Sequence, residues 1–232
     1  MERENRDIQY FEKLEYKFDE YMDNYDVSRR LYLIFSVLLD GIQLSGKKVL
    51  EIGCGTGKFS EPIVDSGGQL TVVDIGETLV KTVSRKLCCE GLVADACNLP
   101  IEDESYDIII SSECIEHTLS PIRAVREMCR VCRKGGYVCL TTPNKLWYPV
   151  LWVSEKLHIR KFSGIENWIF PSQAKTAMQE GRMGKIRIHG CHLWPFQLTC
   201  TRPLLSRMDS YGGLLYPVMI NFGIIGLKGR SI

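Results

Sequence analysis

The chain has 232 residues, a length typical of one large domain. Hydrophobic residues make up 45% and charged residues 25%, which excludes a disordered, collagen-like or coiled-coil chain. The 29 basic and 28 acidic residues leave a net charge of +1, whereas nucleic-acid-binding proteins usually carry a clear basic excess. The composition therefore predicts a soluble globular domain and argues against a nucleic-acid partner.

The cysteines and the first residues of the chain indicate where in the cell the protein is expected. Residues 1–17 are charged and lack the apolar centre of a secretory signal, so we expect the ten cysteines to be reduced thiols of a cytoplasmic protein. Cys129 and Cys132 have the spacing of half a zinc site or of a redox pair. With Ile122 and Val125 they also follow one buried helix face, which is the interpretation we favour.

Two apolar segments raise the question of a membrane span. Residues 31–39 are followed at once by Asp40, and residues 214–227 are interrupted by Pro217 and Asn221. Because a spanning helix needs about 20 consecutive apolar residues, we expect no transmembrane segment. Both segments are interpreted as core elements, and contact with a membrane surface stays open.

Helical spacing dominates the first part of the chain. Apolar residues recur at this spacing over 11–25, and a second stripe runs over 31–42 behind a possible helix cap at Ser28. These patterns predict a helical cap over 1–46, which Gly46 ends.

Short β-branched runs then alternate with helical patterns. Five strands are predicted, at 48–52, 70–74, 91–94, 106–110 and 137–141, and strand character returns at 185–189 and 218–227. Ser120 and Pro121 form a good helix start, and Gly135 with Gly136 a good stop. The alternation predicts an α/β fold with a parallel sheet covered by helices on both faces.

An irregular stretch over 145–182 separates the fifth and sixth predicted strands. Long irregular segments in compact domains are usually lids or binding loops, so we predict a lid here. It is rich in aromatic residues: Trp147, Tyr148, Trp152, Trp168 and Phe170. Together with Trp194 they suggest an aromatic or apolar small-molecule substrate.

Residues 49–57 are the most informative segment. A buried strand runs into three alternating glycines, Gly53, Gly55 and Gly57, and then into a helical pattern. Glycines let the backbone turn sharply and let a ligand approach closely. The segment therefore predicts a cofactor loop.

Two common glycine-loop cofactors fit poorly. A P-loop needs four residues between its outer glycines and a hydroxyl after the lysine, but Gly53 and Gly57 enclose three residues and Phe59 follows Lys58. A nicotinamide or flavin loop needs a third glycine where Lys58 stands. Asp74, which ends the next predicted strand, could instead accept hydrogen bonds from both hydroxyls of a ribose, and Glu51 suits a cationic ligand.

This pattern, Glu-x-Gly-x-Gly-x-Gly followed by an acid on the next strand, resembles the class I S-adenosylmethionine-dependent methyltransferases. Residues 94–96 (Ala-Asp-Ala) follow the third strand, 106–113 look like the fourth strand and its loop, and 133–143 look like the Lys-Pro-Gly-Gly turn and fifth strand. Lys134 departs from the usual order of that turn. The resemblance covers about residues 47–143, and the final strands loosely.

The resemblance implies a Rossmann-like, seven-stranded methyltransferase domain over 47–232 and binding of S-adenosylmethionine, with S-adenosylhomocysteine as product. The cofactor contacts that it implies are Tyr25, Glu51, Gly53, Cys54, Gly55, Gly57, Asp74, Ile75, Asp95, Ala96, Ser112 and Glu113. Tyr25 is included because related enzymes fold an amino-terminal segment over the cofactor, although aromatic stripes more commonly pack.

The implied reaction is methyl transfer to a small molecule, with a hydroxyl oxygen as the expected acceptor. His117 lies beside the expected methyl position and is the candidate base, since histidine titrates near neutrality. Glu113, Glu116 and His117 are spaced so that a helical turn would place all three on one face, where they could bind a divalent cation. The alternatives are a solvated helix start for the acids and packing for the histidine.

The Glu-x-x-Glu-His pattern of residues 113–117 looks like that of the ubiquinone-biosynthesis O-methyltransferases. Sugar and natural-product methyltransferases also carry Glu-His there, so the acceptor stays open. N- or C-methylation and a regulatory module that binds the cofactor without turnover are the alternatives. The sequence does not fix the oligomeric state.

Overall fold

The computed structural model describes residues 23–156 and 166–229. The strands are β1 (Lys48–Ile52), β2 (Gln69–Asp74), β3 (Glu90–Val93), β4 (Tyr106–Ser112), β5 (Cys132–Pro143), β6 (Met183–Cys191) and β7 (Asn221–Lys228). The helices are α1 (Asn24–Leu31), α2 (Ser60–Asp65), α3 (Glu77–Leu87), α4 (Pro121–Val131), α5 (Tyr148–Lys156), α6 (Pro171–Glu180), α7 (Arg202–Asp209) and α8 (Gly212–Leu215).

The seven strands form one sheet in the order β3-β2-β1-β4-β5-β7-β6. The strands from β3 to β5 pair in parallel, whereas β7 runs antiparallel to both β5 and β6. The predicted α/β class is confirmed, with one antiparallel strand inserted near the edge. The chain leaves β1 in both directions, first to β2 and later to β4, so the strand order reverses between β1 and β4. Open parallel sheets bind ligands at the carboxyl ends of strands flanking such a point.

Two apolar clusters cover the two faces of the sheet, as strands buried on both sides require. Leu50 and Ile109 point into one cluster, together with Met128 of α4. Val49 and Ile108 point into the other, because successive strand side chains alternate between faces. The prediction of helices on both faces is therefore confirmed.

The amino-terminal helices differ from their predicted bounds. Asp23 caps α1 by accepting a hydrogen bond from the Tyr25 N–H (2.8 Å), whereas Ser28 lies inside the helix and donates to the Tyr25 carbonyl (2.7 Å). Ser28 is therefore not a cap. The chain continues from α1 as a π-helix, Tyr32–Leu38. The rest of the helix predicted over 11–25 lies outside the described residues.

The end of α4 corrects one predicted boundary. The helix ends at Val131, and Cys132 is already extended and pairs with Tyr106. Gly135 and Gly136 therefore lie within β5 rather than stopping the helix. Cys129 and Cys132 are both buried, and burial raises the pKa of each thiol to about 12. Both side chains pack as small apolar groups, as we predicted. Only Cys129 lies in the helix, whereas we expected both residues on one helix face.

The predicted irregular lid contains regular structure. Residues 145–156 form a 3₁₀ turn and α5, residues 157–165 lie outside the described residues, and α6 follows. Ala174, Ala177 and Met178 of α6 are buried in the cluster that contains α4. Because α6 covers the sheet, it belongs to the core layer and not to a lid. No helix among the described residues is long and apolar enough to cross a membrane.

Candidate active site

The glycine loop lies at the carboxyl end of β1, at the point where the strand order reverses. Gly53, Gly55 and Gly57 have φ angles of 78°, 49° and 86°, a region that favours glycine. The loop closes on the neighbouring strand, because the Gly53 and Cys54 N–H groups both donate to the Val73 carbonyl (2.7 and 3.2 Å). The predicted sharp turn is therefore present, and it needs these glycines.

Asp74 joins the glycine loop to the loop after β2. One carboxylate oxygen accepts a hydrogen bond from the Gly55 N–H (3.1 Å), and the other accepts one from the Gly76 N–H (3.0 Å). Burial raises the pKa of Asp74, while these N–H groups and the nearby His117 act to lower it. Each carboxylate oxygen can accept a second hydrogen bond, so the fixed carboxylate can receive two ligand hydroxyls.

Glu51 lies behind the glycine loop. Its side chain is only 2% exposed and accepts a hydrogen bond from the hydroxyl of Ser60 at the start of α2. Burial raises its pKa to about 8, and the charge of Asp74 adds to the rise. The hydrogen bond between Glu51 and Ser60 therefore connects β1 with α2, the helix after the loop. Its predicted contact with the cofactor stays a prediction.

The ends of β2 and β3 place the residues expected around an adenine side by side. The Ala94 N–H donates to the Asp74 carbonyl (3.0 Å), which holds the two strand ends together. Ile75 is 38% exposed. Asp95 is exposed, accepts a hydrogen bond from the Cys97 N–H (2.8 Å) and precedes the buried Ala96. An apolar side chain and a carboxylate therefore lie at one edge of the loop.

Glu113 occupies the carboxyl end of β4. Its φ of 48° lies in the left-handed region, which is uncommon for residues other than glycine and concentrates at functional sites. Oε2 accepts a hydrogen bond from Asn221 (2.8 Å), whereas the buried Oε1 has no partner among the described residues. Burial raises the pKa of Glu113 to about 8, and nearby Glu116 adds to the rise. Ser112 precedes it and lies 3.1 Å, between hydroxyl oxygens, from Thr141.

The structure does not place Glu113, Glu116 and His117 on one helical face. Glu113 is left-handed, and the 3₁₀ helix that follows spans only Ile115–His117. Glu116 is buried and accepts a hydrogen bond from the Thr142 hydroxyl (3.0 Å), and burial raises its pKa to about 7. Among the described residues no group of three or more acids, histidines or cysteines could hold a metal. The helical-turn geometry expected for a metal site is therefore wrong.

His117 is the last residue of the 3₁₀ helix that follows β4. Its backbone N–H donates to the Cys114 carbonyl (3.0 Å). Burial raises the pKa of Asp74, and the charge of His117 is the weakest of the influences that oppose this rise. The two residues are therefore close enough for their charges to interact. The predicted role of His117 as the base stays a prediction.

A buried charged network beside Glu113 was missed by the sequence analysis. Arg30 is 6% exposed, pairs with Asp26 (2.7 Å) and reaches the Ser112 hydroxyl (3.5 Å). Although burial would lower the pKa of Arg30, Asp26 and Glu113 raise it above its ordinary value. Asp26 also contacts Nε2 of the fully buried His192 (3.0 Å). The network links α1, β4 and the residue after β6 around the site.

Tyr25 is directed toward α7. Its hydroxyl donates to the Arg202 carbonyl (3.0 Å) and lies 3.1 Å from the Ser206 hydroxyl. Its ring lies under the Arg202 guanidinium (4.8 Å) and packs against His192 (5.7 Å between centroids). These contacts make Tyr25 a packing residue of the cap, the more common use of an aromatic stripe. Its contact with the cofactor stays a prediction.

Known proteins match this arrangement. Residues 50–140 match the family described as "Methyltransferase domain", and those residues contain the glycine loop, Asp74 and the segment after β4. Over these residues the chain is similar to known methyltransferase domains. The matched residues include most of β1 and all of β4, the two strands between which the strand order reverses.

Curated methyltransferases are also similar to this chain in sequence. The chain is 31% identical over 115 residues to a ubiquinone biosynthesis O-methyltransferase of Nitrosospira multiformis, which covers 44% of this chain and 46% of that protein. A protein of the same name from Bordetella pertussis is 26% identical over 66% of this chain and 68% of its own length. The chain therefore spans a little under half of the length of the Nitrosospira multiformis protein.

Solved methyltransferase structures share the fold. A structure from Thermotoga maritima, described as an S-adenosylmethionine-dependent methyltransferase and possible histamine N-methyltransferase, superposes with a TM-score of 0.67 and 21% identity over 94% of this chain and 98% of its own. A phosphoethanolamine N-methyltransferase of Haemonchus contortus with bound S-adenosylhomocysteine gives a TM-score of 0.63 at 15% identity, over 87% of this chain and 53% of its own.

Proposed function

We propose that this chain transfers a methyl group from S-adenosylmethionine to a hydroxyl oxygen of a small molecule. The observation that carries the proposal is Asp74, whose two carboxylate oxygens are each tied to one of the two loops at the carboxyl end of the sheet. A carboxylate held in this way is preorganised to bind both ribose hydroxyls of an adenosine. The glycine loop beside it leaves room for close approach of the ligand.

The residues at this edge fit the cofactor. Gly53, Gly55 and Gly57 would face the amino-acid portion, Asp74 the ribose, and Ile75 and Asp95 with Ala96 the adenine. When bound, the cofactor supplies an electrophilic methyl group on a positively charged sulfur. The acids that surround this edge suit a cation better than a phosphate, in agreement with the failed match to a P-loop.

The residues after β4 would serve the acceptor. We propose that His117 takes the proton of a hydroxyl nucleophile, a role that matters for phenols because their pKa is near 10. We assign Ser112 and Glu113 to the boundary between cofactor and acceptor. The main contribution of the site is orientation of the two reactants away from water. The aromatic residues of 145–170 support an apolar or ring-bearing acceptor.

N-methylation is the second candidate. Glu113 is a buried acid with one oxygen that has no partner among the described residues, and such an oxygen could receive an amine. A screen of phenols, aliphatic alcohols and amines, each with and without magnesium, separates the two activities. We place the reaction in the cytoplasm, a location that the ten free thiols support.

Calorimetric titration tests the cofactor first. We expect S-adenosylmethionine and S-adenosylhomocysteine to bind the wild type and Asp74→Ala to weaken both about a hundredfold, since each hydrogen bond to a charged group contributes about 1.5–3 kcal/mol. Asp65→Ala, at the end of α2, is the matched control and should bind as the wild type does. A folded wild type that binds neither ligand would refute the methyltransferase proposal. Binding without turnover of any acceptor would instead support the regulatory module.

A further inference from the structure

Trp168 is buried without a partner for its indole N–H. Its side chain is only 9% exposed, yet it belongs to neither of the two apolar clusters that cover the sheet. The indole N–H has no hydrogen-bond partner among the described residues. The indoles of Trp147 and Trp194, by contrast, donate to the Val218 carbonyl (3.0 Å) and to the Thr201 hydroxyl (2.7 Å). Because a buried donor without a partner costs free energy, the Trp168 indole is a candidate to bind a ligand.

Hydrogen bonds place Trp168 beside the candidate base. The backbone N–H of Asn167 donates to the Glu116 carbonyl (2.7 Å), and the side-chain amide of Asn167 donates to the Thr118 carbonyl (2.7 Å). Asn167 is therefore bonded to the residues on both sides of His117. Because Trp168 is the next residue in the chain, it lies beside the segment after β4 that carries His117.

The residue that follows connects Trp168 to the end of β5. The Lys145 N–H donates to the Ile169 carbonyl (3.1 Å), and Ile169 forms a parallel bridge with Asn144, which directly follows β5. Ile169 is buried in the cluster that contains α4. Because successive side chains of an extended segment alternate, Trp168 is directed away from that cluster. Tyr148 of α5 packs against it in a T-shaped pair (6.0 Å between centroids).

Glu113 contributes a second buried polar atom without a partner. Its Oε1 has none among the described residues, and Glu113 directly follows β4. Since β4 and β5 pair in parallel, the unpartnered atoms of Glu113 and Trp168 belong to segments at the same edge of the sheet. This is the edge at which we propose that the methyl acceptor binds.

The chemistry of an indole restricts the ligand. An indole N–H donates a hydrogen bond and cannot accept one, so the ligand atom must carry a lone pair, as hydroxyl, ether, carbonyl and carboxylate oxygens do. A protonated amine has no lone pair and would leave the indole N–H without a partner. The aromatic rings of Trp168 and Tyr148 favour an apolar or aromatic body. A ring compound that bears an oxygen meets both requirements.

We propose that Trp168 binds the methyl acceptor, with its ring packed on the apolar body of the acceptor and its indole N–H donating to an oxygen of the acceptor. This inference rests on the proposed methyl transfer and narrows the acceptor to a ring compound that bears an oxygen. Because Asn167 holds Trp168 beside His117, one bound acceptor can contact both side chains.

NMR of the tryptophan indole N–H groups tests the proposal. The full chain, saturated with S-adenosylhomocysteine, is titrated with phenol and with toluene, which has nearly the same shape but no oxygen. We expect phenol, and not toluene, to move the Trp168 indole resonance to lower field. The resonances of Trp147 and Trp194 should stay in place, because these indoles already have partners. Trp168→Phe identifies the resonance by its absence, and sequential assignment of the wild type identifies it if that variant does not fold.

The affinity for phenol provides a second measurement. Trp168→Phe keeps an aromatic ring and removes the N–H, so it should weaken phenol binding about fivefold and leave toluene and S-adenosylhomocysteine binding within about twofold of wild type. Trp194→Phe is the matched control and should bind phenol as the wild type does.

Two results would overturn the proposal: a Trp168 resonance that phenol does not move, or equal phenol affinities of Trp168→Phe and the wild type. Failure of S-adenosylhomocysteine to bind is a separate result, because it contradicts the methyl transfer. The phenol titration of the free protein then still decides whether Trp168 binds an oxygen-bearing ring.

Discussion

Gly53→Ala is expected to lower the free energy of unfolding by about 3 kcal/mol and to abolish tight cofactor binding. Gly53 has a φ of 78°, where an alanine costs about 1 kcal/mol. An added Cβ would also lie 2.5 Å from both Cβ and Sγ of Cys114, in the segment after β4. Overpacking of this kind costs roughly 1–3 kcal/mol more. Because the glycine loop and the segment after β4 would have to separate, the cofactor site itself would open.

A matched glycine distinguishes the backbone cost from the clash. Gly41 has a φ of 74°, and an added Cβ there would meet nothing within 4 Å. Gly41→Ala should therefore cost only about 1 kcal/mol in urea unfolding and leave S-adenosylhomocysteine binding unchanged. Cys114→Gly combined with Gly53→Ala removes both clashing atoms and should restore part of the affinity. Equal effects of the two alanine variants would show that contact with Cys114 is unimportant.

The cofactor half of the site could be predicted because its signals are local. The alternating glycines and the acid that ends β2 are short patterns whose geometry follows from backbone chemistry. The structure reproduces both, with positive φ angles at the glycines and Asp74 bonded to the glycine loop. The strand pattern predicted the sheet for the same reason, since runs of β-branched residues between helices leave few arrangements open.

The residues proposed to serve the acceptor are surrounded by contacts between residues that are distant in the sequence. Asp26 and His192 are 166 residues apart, and nothing near either residue indicates that they meet. The failed prediction of a shared helical face has a different cause. Spacing can place Glu113, Glu116 and His117 together only if the backbone is helical throughout, and the left-handed Glu113 breaks that condition.

Helix α6 was not predicted, because the spacing of its apolar residues gives too weak a signal. Its buried residues are Pro171, Ala174, Ala177 and Met178, of which two are alanines with little hydrophobic signal. The sequence therefore predicted a lid where the structure has a packed helix. The close packing of α6 on α4 explains the small residues: an added Cβ at Gly181, just past α6, would lie 2.4 Å from the Cβ of Cys129.

Glu51→Gln is expected to make the protein more stable than wild type at alkaline pH. The folded-state pKa of Glu51 is about 8, above the ordinary value of 4.5, so the native state binds the proton more tightly than the unfolded state does. The stability contributed by this proton is full below about pH 4.5 and is lost as pH rises through 8. A shift of this size corresponds to about 5 kcal/mol. Glutamine keeps an oxygen for the Ser60 hydroxyl and carries no charge.

Urea unfolding between pH 5 and pH 9 measures this effect as a difference between variant and wild type. Glu113 and Glu116 also have raised pKa values. They change the unfolding free energy of variant and wild type equally with pH, so the difference between the two proteins reports Glu51 alone. Glu77→Gln is the control of opposite sign: its exposed carboxylate pairs with Lys81, which lowers its pKa, so the substitution should cost stability at neutral pH.

Curves for Glu51→Gln and wild type that stay parallel from pH 5 to pH 9 would show that Glu51 ionises freely in the folded protein. Curves that diverge would establish a neutral Glu51 behind the glycine loop at pH 7. A neutral acid there spares Asp74 a second negative charge in the same buried region. Asp74, the carboxylate proposed to receive the ribose, can then stay ionised, because only one of the two neighbouring acids carries charge.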